Sequence, residues 1–301
     1  MCLKNVNQLL VFGLFLHSVS VTASAEITLK PFKDDLFSHT QLLSEEYEGR
    51  YQVFDYNEMR DINGRDEVPV TRAAAKYVEL LPQSYMREYN LSRNHQGKYY
   101  KFEAYEVGAD VKDKFAVVFI HGQGGTRELG MQDWMFSGNF NRLKHLVIRN
   151  DGAYYTPTVP DFGTSGAYQV EELIKDIASK NPNSKIILAC ASMGGYICSQ
   201  LANSVDAVQR LSGMIFMGTF SSVNLATSYL AKMEMPIVFA HGTRDSLCKL
   251  AVQKQQFANL LKLNTQYPTI FYAYETGGHG TPIRMFDWKT SLNWIFSSIK
   301  K

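Results

Sequence analysis

The chain has 301 residues, a formal net charge of +2 at pH 7 and 45% hydrophobic residues. This length suffices for one large domain with a full core. The small charge and the scattered basic residues argue against nucleic acid as a partner. No Cys-x-x-Cys or His-x-x-x-His pair indicates a metal site, and no glycine-rich phosphate loop follows a first strand, so we expect neither a metal nor another cofactor.

The first 25 residues have the pattern of a secretory signal peptide. A polar start with one lysine, Met1–Gln8, precedes the largely apolar Leu9–Leu16, and Ala23-Ser-Ala25 is a small-x-small cleavage site. The apolar run is far shorter than the ~20 residues that span a bilayer. We therefore expect a protein exported to the periplasm or secreted, cleaved after Ala25 and without a stable membrane span. A short uncleaved anchor is the alternative.

Residues 26–96 contain no motif that we can assign. They predict an N-terminal extension packed on a domain formed by residues 97–301, with the charge cluster Arg60–Glu67 in solvent. A contact between Arg60 or Arg65 and an acidic substrate is the alternative. Val70–Leu81 has the apolar spacing of a helix.

Strand-like and helix-like segments alternate through the rest of the chain, which predicts an α/β fold with a mostly parallel central sheet and helices on both faces. The predicted strands are Tyr99–Val107, Phe115–Ile120, the run that ends before Ser192, Leu211–Met217, Met235–Ala240 and Thr269–Tyr274. The predicted helices are Gln169–Ser179, Gly194–Asn203, Ala251–Leu263 and Asp287–Ile299.

Ser192 stands where an apolar run ends and a helix-compatible segment begins. Small residues two before and two after it, Cys190 and Gly194, are typical of a tight strand-to-helix turn that projects a serine hydroxyl. The usual pattern has glycine at both positions, so Cys190 is a small departure. Ser165 competes in a glycine-rich setting, but it lies upstream and we interpret it as a turn residue.

Two later turns carry a carboxylate and a histidine. Asp245 ends the turn His241-Gly-Thr-Arg-Asp245 after one predicted strand, and His279 lies in Glu275-Thr-Gly-Gly-His-Gly280 after the next. Both follow the carboxyl ends of strands, where open α/β sheets place their sites. Asp206 and Glu234 do not follow a strand in this way.

These motifs, together with His121-Gly-Gln-Gly-Gly125 and Pro160-Asp-Phe-Gly-Thr-Ser-Gly166, resemble the α/β-hydrolase family over roughly residues 99–300. In that family the nucleophile comes first, then the acid, then the histidine. The resemblance implies a catalytic triad of Ser192, Asp245 and His279. It also implies an oxyanion hole formed by the backbone N–H groups of Gln123 and Met193, with His121 as a structural residue of the loop.

Many relatives insert a cap between the sixth and seventh strands of the fold. Here that interval, Phe220–Met235, has room for little more than one helix, so we expect no large cap and a small-molecule or polymer-borne ester as substrate. The resemblance implies a serine hydrolase that cleaves carboxylic esters through an acyl-enzyme. A peptidase or amidase on the same triad remains an alternative, as does a non-catalytic binding protein that keeps the fold. The oligomeric state is not readable from the sequence.

The four cysteines are Cys2, Cys190, Cys198 and Cys248. Removal of a signal peptide would leave three, an odd number that excludes a complete disulfide framework. We therefore interpret Cys190 and Cys198, on either side of the serine turn, as buried apolar residues rather than a bridge.

Overall fold

The computed structural model describes residues 27–61, 64–67, 72–95, 97–108 and 113–300. The predicted signal peptide, residues 1–25 with cleavage after Ala25, lies outside these residues. Within them, no helix has the length and apolar character needed to cross a membrane.

A ten-stranded sheet organises the molecule, in the order β1-β2-β12-β11-β10-β9-β7-β8-β6-β5. Six of its nine pairings are parallel, as predicted; β1–β2, β6–β8 and β5–β6 are antiparallel. β3 and β4 form a separate two-stranded sheet. The strands are β1 (Leu42–Glu46), β2 (Tyr51–Phe54), β3 (Asp66–Glu67), β4 (Arg72–Ala73), β5 (Met86–His95), β6 (Lys98–Gly108), β7 (Phe115–Ile120), β8 (Gly152–Pro157), β9 (Lys185–Ala191), β10 (Leu211–Met217), β11 (Ile237–Gly242) and β12 (Thr269–Tyr274).

Helices cover both faces of the sheet, which confirms the predicted layers. Every residue of β7, β11 and β12 is buried, as expected for parallel strands enclosed on two sides. One apolar core packs α5, α6 and α9 on one face, and a second packs α4 and α11 on the other. The helices are α1 (Asp34–Phe37), α2 (Glu58–Asp61), α3 (Arg127–Met131), α4 (Asn139–Arg149), α5 (Thr164–Lys180), α6 (Gly194–Leu201), α7 (Val205–Val208), α8 (Tyr229–Lys232), α9 (Leu250–Leu263), α10 (Thr281–Met285) and α11 (Trp288–Ser298).

The residues of the predicted N-terminal extension add strands to both edges of this sheet. β2 pairs in parallel with β12 at one edge, and β5 pairs with β6 at the other. The predicted boundary between residues 96 and 97 falls between β5, which ends at His95, and β6, which begins at Lys98. The expected helix over Val70–Leu81 is wrong: of its described residues, only Ala75–Tyr77 are helical, as one 3-10 turn. The Ala73 N–H instead donates to Trp134 O, which holds this stretch extended against the core.

A buried arginine attaches the start of the described chain to the core. The guanidinium of Arg142, on α4, is fully buried and donates to the carbonyl oxygens of Phe32 and Phe37. It also pairs with Asp287 at 2.9 Å and with Asp34 at 3.1 Å. One side chain thus joins the N-terminal segment, α4 and the start of α11.

The expected absence of a large cap between strands six and seven is confirmed. These strands are β10 and β11, and only a 3-10 turn at Leu225–Thr227 and the four-residue α8 separate them. The carboxyl edge of the sheet therefore stays open above this point.

Candidate active site

Ser192 occupies a tight turn between β9 and α6. Its φ of 50° lies in the left-handed region, which is uncommon for a residue with a side chain. The turn is held by backbone bonds: the Ser192 N–H donates to Met217 O at 3.2 Å, and Ser192 O accepts from the N–H groups of Gly195 and Phe220. These bonds fix a backbone conformation that exposes the hydroxyl.

Glycines surround this turn because the backbone is crowded. A Cβ on Gly194 would lie 2.7 Å from Ile120 O, and one on Gly195 would lie 2.2 Å from Phe220 O. A Cβ on Gly122, in the loop after β7, would lie 2.8 Å from the Cβ of Ser192. Such contacts are too close for any side chain, so these three positions require glycine.

Cys190 and Cys198 form a disulfide, so the expectation of two unpaired cysteines is wrong. Their Cα atoms lie 6.3 Å apart although eight positions separate them in sequence. The turn at Ser192 causes this, because it folds α6 back along β9. Cys248, the other cysteine in the described part of the chain, is free and buried.

The three residues of the expected triad meet at the carboxyl ends of their strands. His279 Nε2 lies 2.9 Å from Ser192 Oγ, and His279 Nδ1 lies 2.8 Å from Asp245 Oδ2. The other carboxylate oxygen of Asp245 accepts from the N–H groups of Leu247 and Cys248, each at 2.9 Å. Burial opposes ionisation of Asp245, but the hydrogen bonds from His279 and these backbone groups outweigh it and hold its pKa below the ordinary value. Asp245 is therefore ionised at neutral pH.

The competing candidates lie elsewhere or serve another contact. His241 is buried, its Nε2 donates to Cys248 O at 2.7 Å, and burial lowers its pKa, so the ring is neutral. It packs behind Asp245, with Nε2 3.5 Å from the carboxylate. Asp206 pairs with lysine and arginine side chains, and Glu234 pairs with Lys300.

The two expected oxyanion donors lie on different segments: Gln123 in the loop after β7, and Met193 directly after Ser192. Within the described chain, the N–H groups of Gln123 and Met193 donate to no other residue. The ring of His121 is buried between two backbone groups: Nδ1 contacts Gly122 O at 2.7 Å, and Nε2 accepts from the Val159 N–H at 3.0 Å. His121 therefore pins this loop to the segment after β8. Sequence reasoning had assigned it a structural role without finding Val159.

A family model described as an alpha/beta hydrolase domain matches residues 113–280, more than half of the chain. The chain belongs to the α/β-hydrolase family. No curated protein matches it in sequence.

Solved structures show the same fold for this α/β-hydrolase. A thermostable esterase superposes with a TM-score of 0.57 at 14% identity, over 71% of this chain and 63% of that one. A feruloyl esterase module from Clostridium thermocellum, complexed with sinapinate, has a TM-score of 0.57 at 14% identity, over 76% and 94%. The Pyrococcus furiosus esterase Pf2001 has a TM-score of 0.54 at 12% identity, over 74% and 96%. At these low identities, the superpositions show a shared fold and nothing more specific.

The N-terminal segment supports the loop that carries His279. The Glu275 N–H donates to Phe54 O at 2.9 Å, and Thr276 Oγ1 donates to Tyr56 O at 3.1 Å. Sequence analysis missed this support because residues 54–56 carry no motif. The two arginines considered for an acidic substrate are engaged within this α/β-hydrolase: Arg60 pairs with two aspartates, and Arg65 is buried and donates to a backbone carbonyl.

One group of side chains in the described chain has the spacing of metal ligands. Donor atoms of Asp245, Cys248 and His279 lie within 4.8 Å of one another. Burial raises the pKa of the Cys248 thiol to about 12, so it stays protonated at neutral pH, whereas a metal ligand must be a thiolate. The carboxylate and the imidazole already bond to each other. The arrangement therefore suits proton transfer at Ser192 better than metal binding.

Proposed function

We propose that this α/β-hydrolase is a serine hydrolase that cleaves carboxylic esters through an acyl-enzyme. The observation that carries the proposal is the unbroken hydrogen-bond chain from Ser192 Oγ through the imidazole of His279 to the carboxylate of Asp245. Nucleophile, base and orienting acid at these distances are the parts that activate a serine hydroxyl.

In the first half-reaction, Ser192 Oγ attacks the ester carbonyl carbon while His279 Nε2 takes the hydroxyl proton. Asp245 holds the imidazole in the tautomer that keeps Nε2 free to accept, and stabilises the imidazolium once it forms. The carbonyl oxygen becomes an oxyanion, for which the N–H groups of Gln123 and Met193 serve as donors. The imidazolium then protonates the departing alcohol.

The second half-reaction uses the same groups in reverse. Water attacks the carbonyl carbon of the acyl-serine ester, and His279 accepts the proton of the water. The carbonyl oxygen becomes a second oxyanion at the same donors. Its collapse releases the carboxylic acid and returns the proton to Ser192 Oγ.

Esters are preferred to amides as the proposed substrates because three known structures with this fold are esterases. The open edge above β10 and β11 leaves room for a bulky or polymer-borne ester as well as a small one. Export is part of the proposal: the Cys190–Cys198 disulfide supports it, since disulfides persist in oxidising compartments.

A fluorophosphonate, which reacts with activated serines, tests the proposal when labelling is followed by intact mass. We expect one adduct on the wild type and none on Ser192→Ala, with His279→Ala labelled at least about 100-fold more slowly because the base is missing. The intact mass of protein recovered from the producing cell also identifies its first residue, which we expect to be Glu26.

Two results would contradict the proposal. Folded wild-type protein that forms no adduct would favour a binding role for the fold, and an adduct retained in Ser192→Ala would assign the nucleophile elsewhere. A chain that still begins at Met1 would overturn the export part of the proposal. A panel of esters and matched amides on labelling-competent protein then separates esterase from peptidase or amidase.

A further inference from the structure

An open cleft of about 700 Å³ lies beside Ser192. One wall is the oxyanion loop through Gly125, and a second is the loop Thr158–Gly163 that follows β8. The third wall is the start of the nucleophile helix, with Met193 and Tyr196. Because both expected oxyanion donors line it, a group bound there would be attached to the reacting carbonyl.

In the described part of the chain, the cleft has no cationic side chain to pair with a negatively charged group of the substrate. Its described lining contains no lysine or arginine, and its ionisable side chains are those of His121, Asp161 and Tyr196. Burial lowers the pKa of His121, whose ring nitrogens are both engaged. Asp161 accepts from the N–H groups of Gly163 and Gly166 at the start of α5. A carboxylate or phosphate on the substrate would therefore lie near the carboxyl group of Asp161, with no lysine or arginine in the described lining to pair with it.

Two aromatic rings of the lining, Phe162 and Tyr196, are held in place by other rings. Tyr196 stacks on Phe220, with centroids 5.8 Å apart and planes at 20°, and Phe220 lies 6.4 Å from the ring of His279. Phe162 meets the buried ring of His121 edge to face at 6.0 Å. Aromatic surfaces fixed in this way favour flat apolar groups, which stack without ordering flexible side chains.

A single amide joins the two walls that carry these rings. Gln200 Nε2, on α6, donates to Phe162 O at 3.0 Å and to Tyr196 O at 3.2 Å. The first of these bonds ties the loop after β8 to the nucleophile helix. Gln200 is therefore a candidate positioning residue, since it sets the separation of the aromatic walls without lining the cleft.

We propose that this cleft is a subsite for a flat, uncharged group of the ester, such as an aromatic ring, and that Gln200 positions its walls. The inference deepens the proposed ester hydrolysis and rests on it for the kinetic measurements below. A subsite of this kind predicts that esters whose ring carries a carboxylate are poor substrates.

The kinetic test compares each variant with the wild type on one substrate at a time. The substrates are methyl benzoate, phenyl acetate, ethyl acetate and methyl 4-carboxybenzoate, followed by acid release at constant pH. We expect Phe162→Ala and Tyr196→Ala to lower kcat/KM about tenfold for methyl benzoate or phenyl acetate and less than about twofold for ethyl acetate. Which ring ester responds shows whether the subsite takes the acyl or the alcohol side. Tyr99→Ala, at an exposed tyrosine in the β5–β6 hairpin, is the control and should change nothing.

Gln200→Met removes both amide bonds at similar volume. We expect KM for the responsive ring ester to rise about fivefold while kcat stays within twofold, because the residue shapes binding and does not touch the reacting atoms. A parallel loss of kcat for ethyl acetate would mean that Gln200 supports the nucleophile helix in general, and would overturn the positioning role.

Binding to Ser192→Ala separates this inference from the proposed function. Saturation-transfer NMR should detect methyl benzoate on Ser192→Ala but not on the same protein carrying Phe162→Ala, and should detect methyl 4-carboxybenzoate on neither. Absence of binding to Ser192→Ala, or equal binding of the carboxylated ester, would overturn the subsite. Binding without any ester turnover by the wild type would keep the subsite and overturn the esterase proposal.

Discussion

Ser192 combines an uncommon backbone conformation with a close approach of Gly122 to its side chain. The left-handed φ of 50° is sustained by backbone bonds to Met217, Gly195 and Phe220 rather than by the serine side chain. A residue that the surrounding structure holds in a sparsely populated conformation is typical of sites where geometry matters more than local stability. The hydroxyl is thereby directed at His279 instead of bonding to its own backbone.

Gly122 is the position where this geometry is most easily tested. In Gly122→Ala the new Cβ would lie 2.8 Å from Ser192 Cβ, so the oxyanion loop or the serine must move. A displacement near 1 Å at a catalytic group costs about 100-fold, and we expect kcat/KM for an ester to fall by 10- to 100-fold. Steady-state kinetics with a short-chain ester measures it.

Gly108→Ala is the matched control for that variant. Its Cβ would make an ordinary contact 3.6 Å from Ala153 Cβ, at the end of β6, and activity should be retained. Full activity in Gly122→Ala would show that the loop accommodates a methyl group without moving the proposed oxyanion donors, against the crowding argument.

The sequence was most informative about residues that follow strands. Ser192 directly follows β9, and Asp245 and His279 lie in the turns after β11 and β12. A correct prediction of these parallel strands therefore places the three residues at one edge of the sheet. The partners of His121 and the two carbonyls bound by Gln200 could not be predicted, because they depend on side-chain direction between segments with no shared motif.

At the scale of elements, the disulfide joins β9 to α6 across the serine turn. Both sulfur-bearing residues are fully buried, and the bond closes a loop that contains Ser192. The odd cysteine count had argued against a bridge, but a count carries no information about which residues a tight turn brings together. Their meeting depends on the angle at which α6 leaves the turn.

Reduction of this bond should destabilise the protein. For a loop of this length the chain-entropy model gives about 2–3 kcal/mol, so the free energy of unfolding should fall by that amount when the wild type is treated with dithiothreitol. Urea unfolding with and without reductant measures the difference. The double variant Cys190→Ala, Cys198→Ala should not respond to reductant, whereas Cys248→Ala should respond like the wild type. If reductant still lowers the free energy of unfolding of the double variant, the effect comes from a group other than the Cys190–Cys198 disulfide.

The elements themselves were predicted well where local pattern suffices. α5, α6, α9 and α11 begin and end within a few residues of the expected bounds, α5 starting five residues early at Thr164. The helix expected over Val70–Leu81 does not form in its described part. The apolar side chains of Ala73, Tyr77 and Val78 pack in a small cluster with Phe37 and Trp134, and the Ala73 N–H bonds to Trp134 O instead of to a helical partner.

At the scale of the whole molecule, the N-terminal segment is part of the sheet and of the site's support. β2 extends the sheet beyond β12, and the chain that follows it holds the His279 loop. Sequence analysis could not reach this result, because β2 is a short strand and its partner lies more than 200 residues later in the chain.

Among the contacts that attach this segment to the core, those of Arg142 should contribute most to the free energy of unfolding. Arg142→Met leaves Asp287, which is almost fully buried, without its cation and frees two carbonyls of the N-terminal segment. Breaking a buried pair from one side costs about 3–5 kcal/mol, and urea unfolding should report a loss of that size.

Lys114→Met provides the comparison for a surface pair. Lys114 and Asp151 approach to 2.7 Å, but both side chains are more than half exposed, so the loss should stay below about 1 kcal/mol. Equal losses in the two variants would mean that burial of the Arg142 network contributes nothing specific.

The attachment of the first described residues to the last helix also constrains how the chain folds. The Leu29 N–H donates to the Asn293 side chain, 264 positions away, and β2 must wait for β12 before it can pair. Contacts of such long range raise the contact order and slow folding. During synthesis β2 emerges long before β12, and the His279 loop acquires its support only when β2 and the residues after it meet β12 and the turn that follows it.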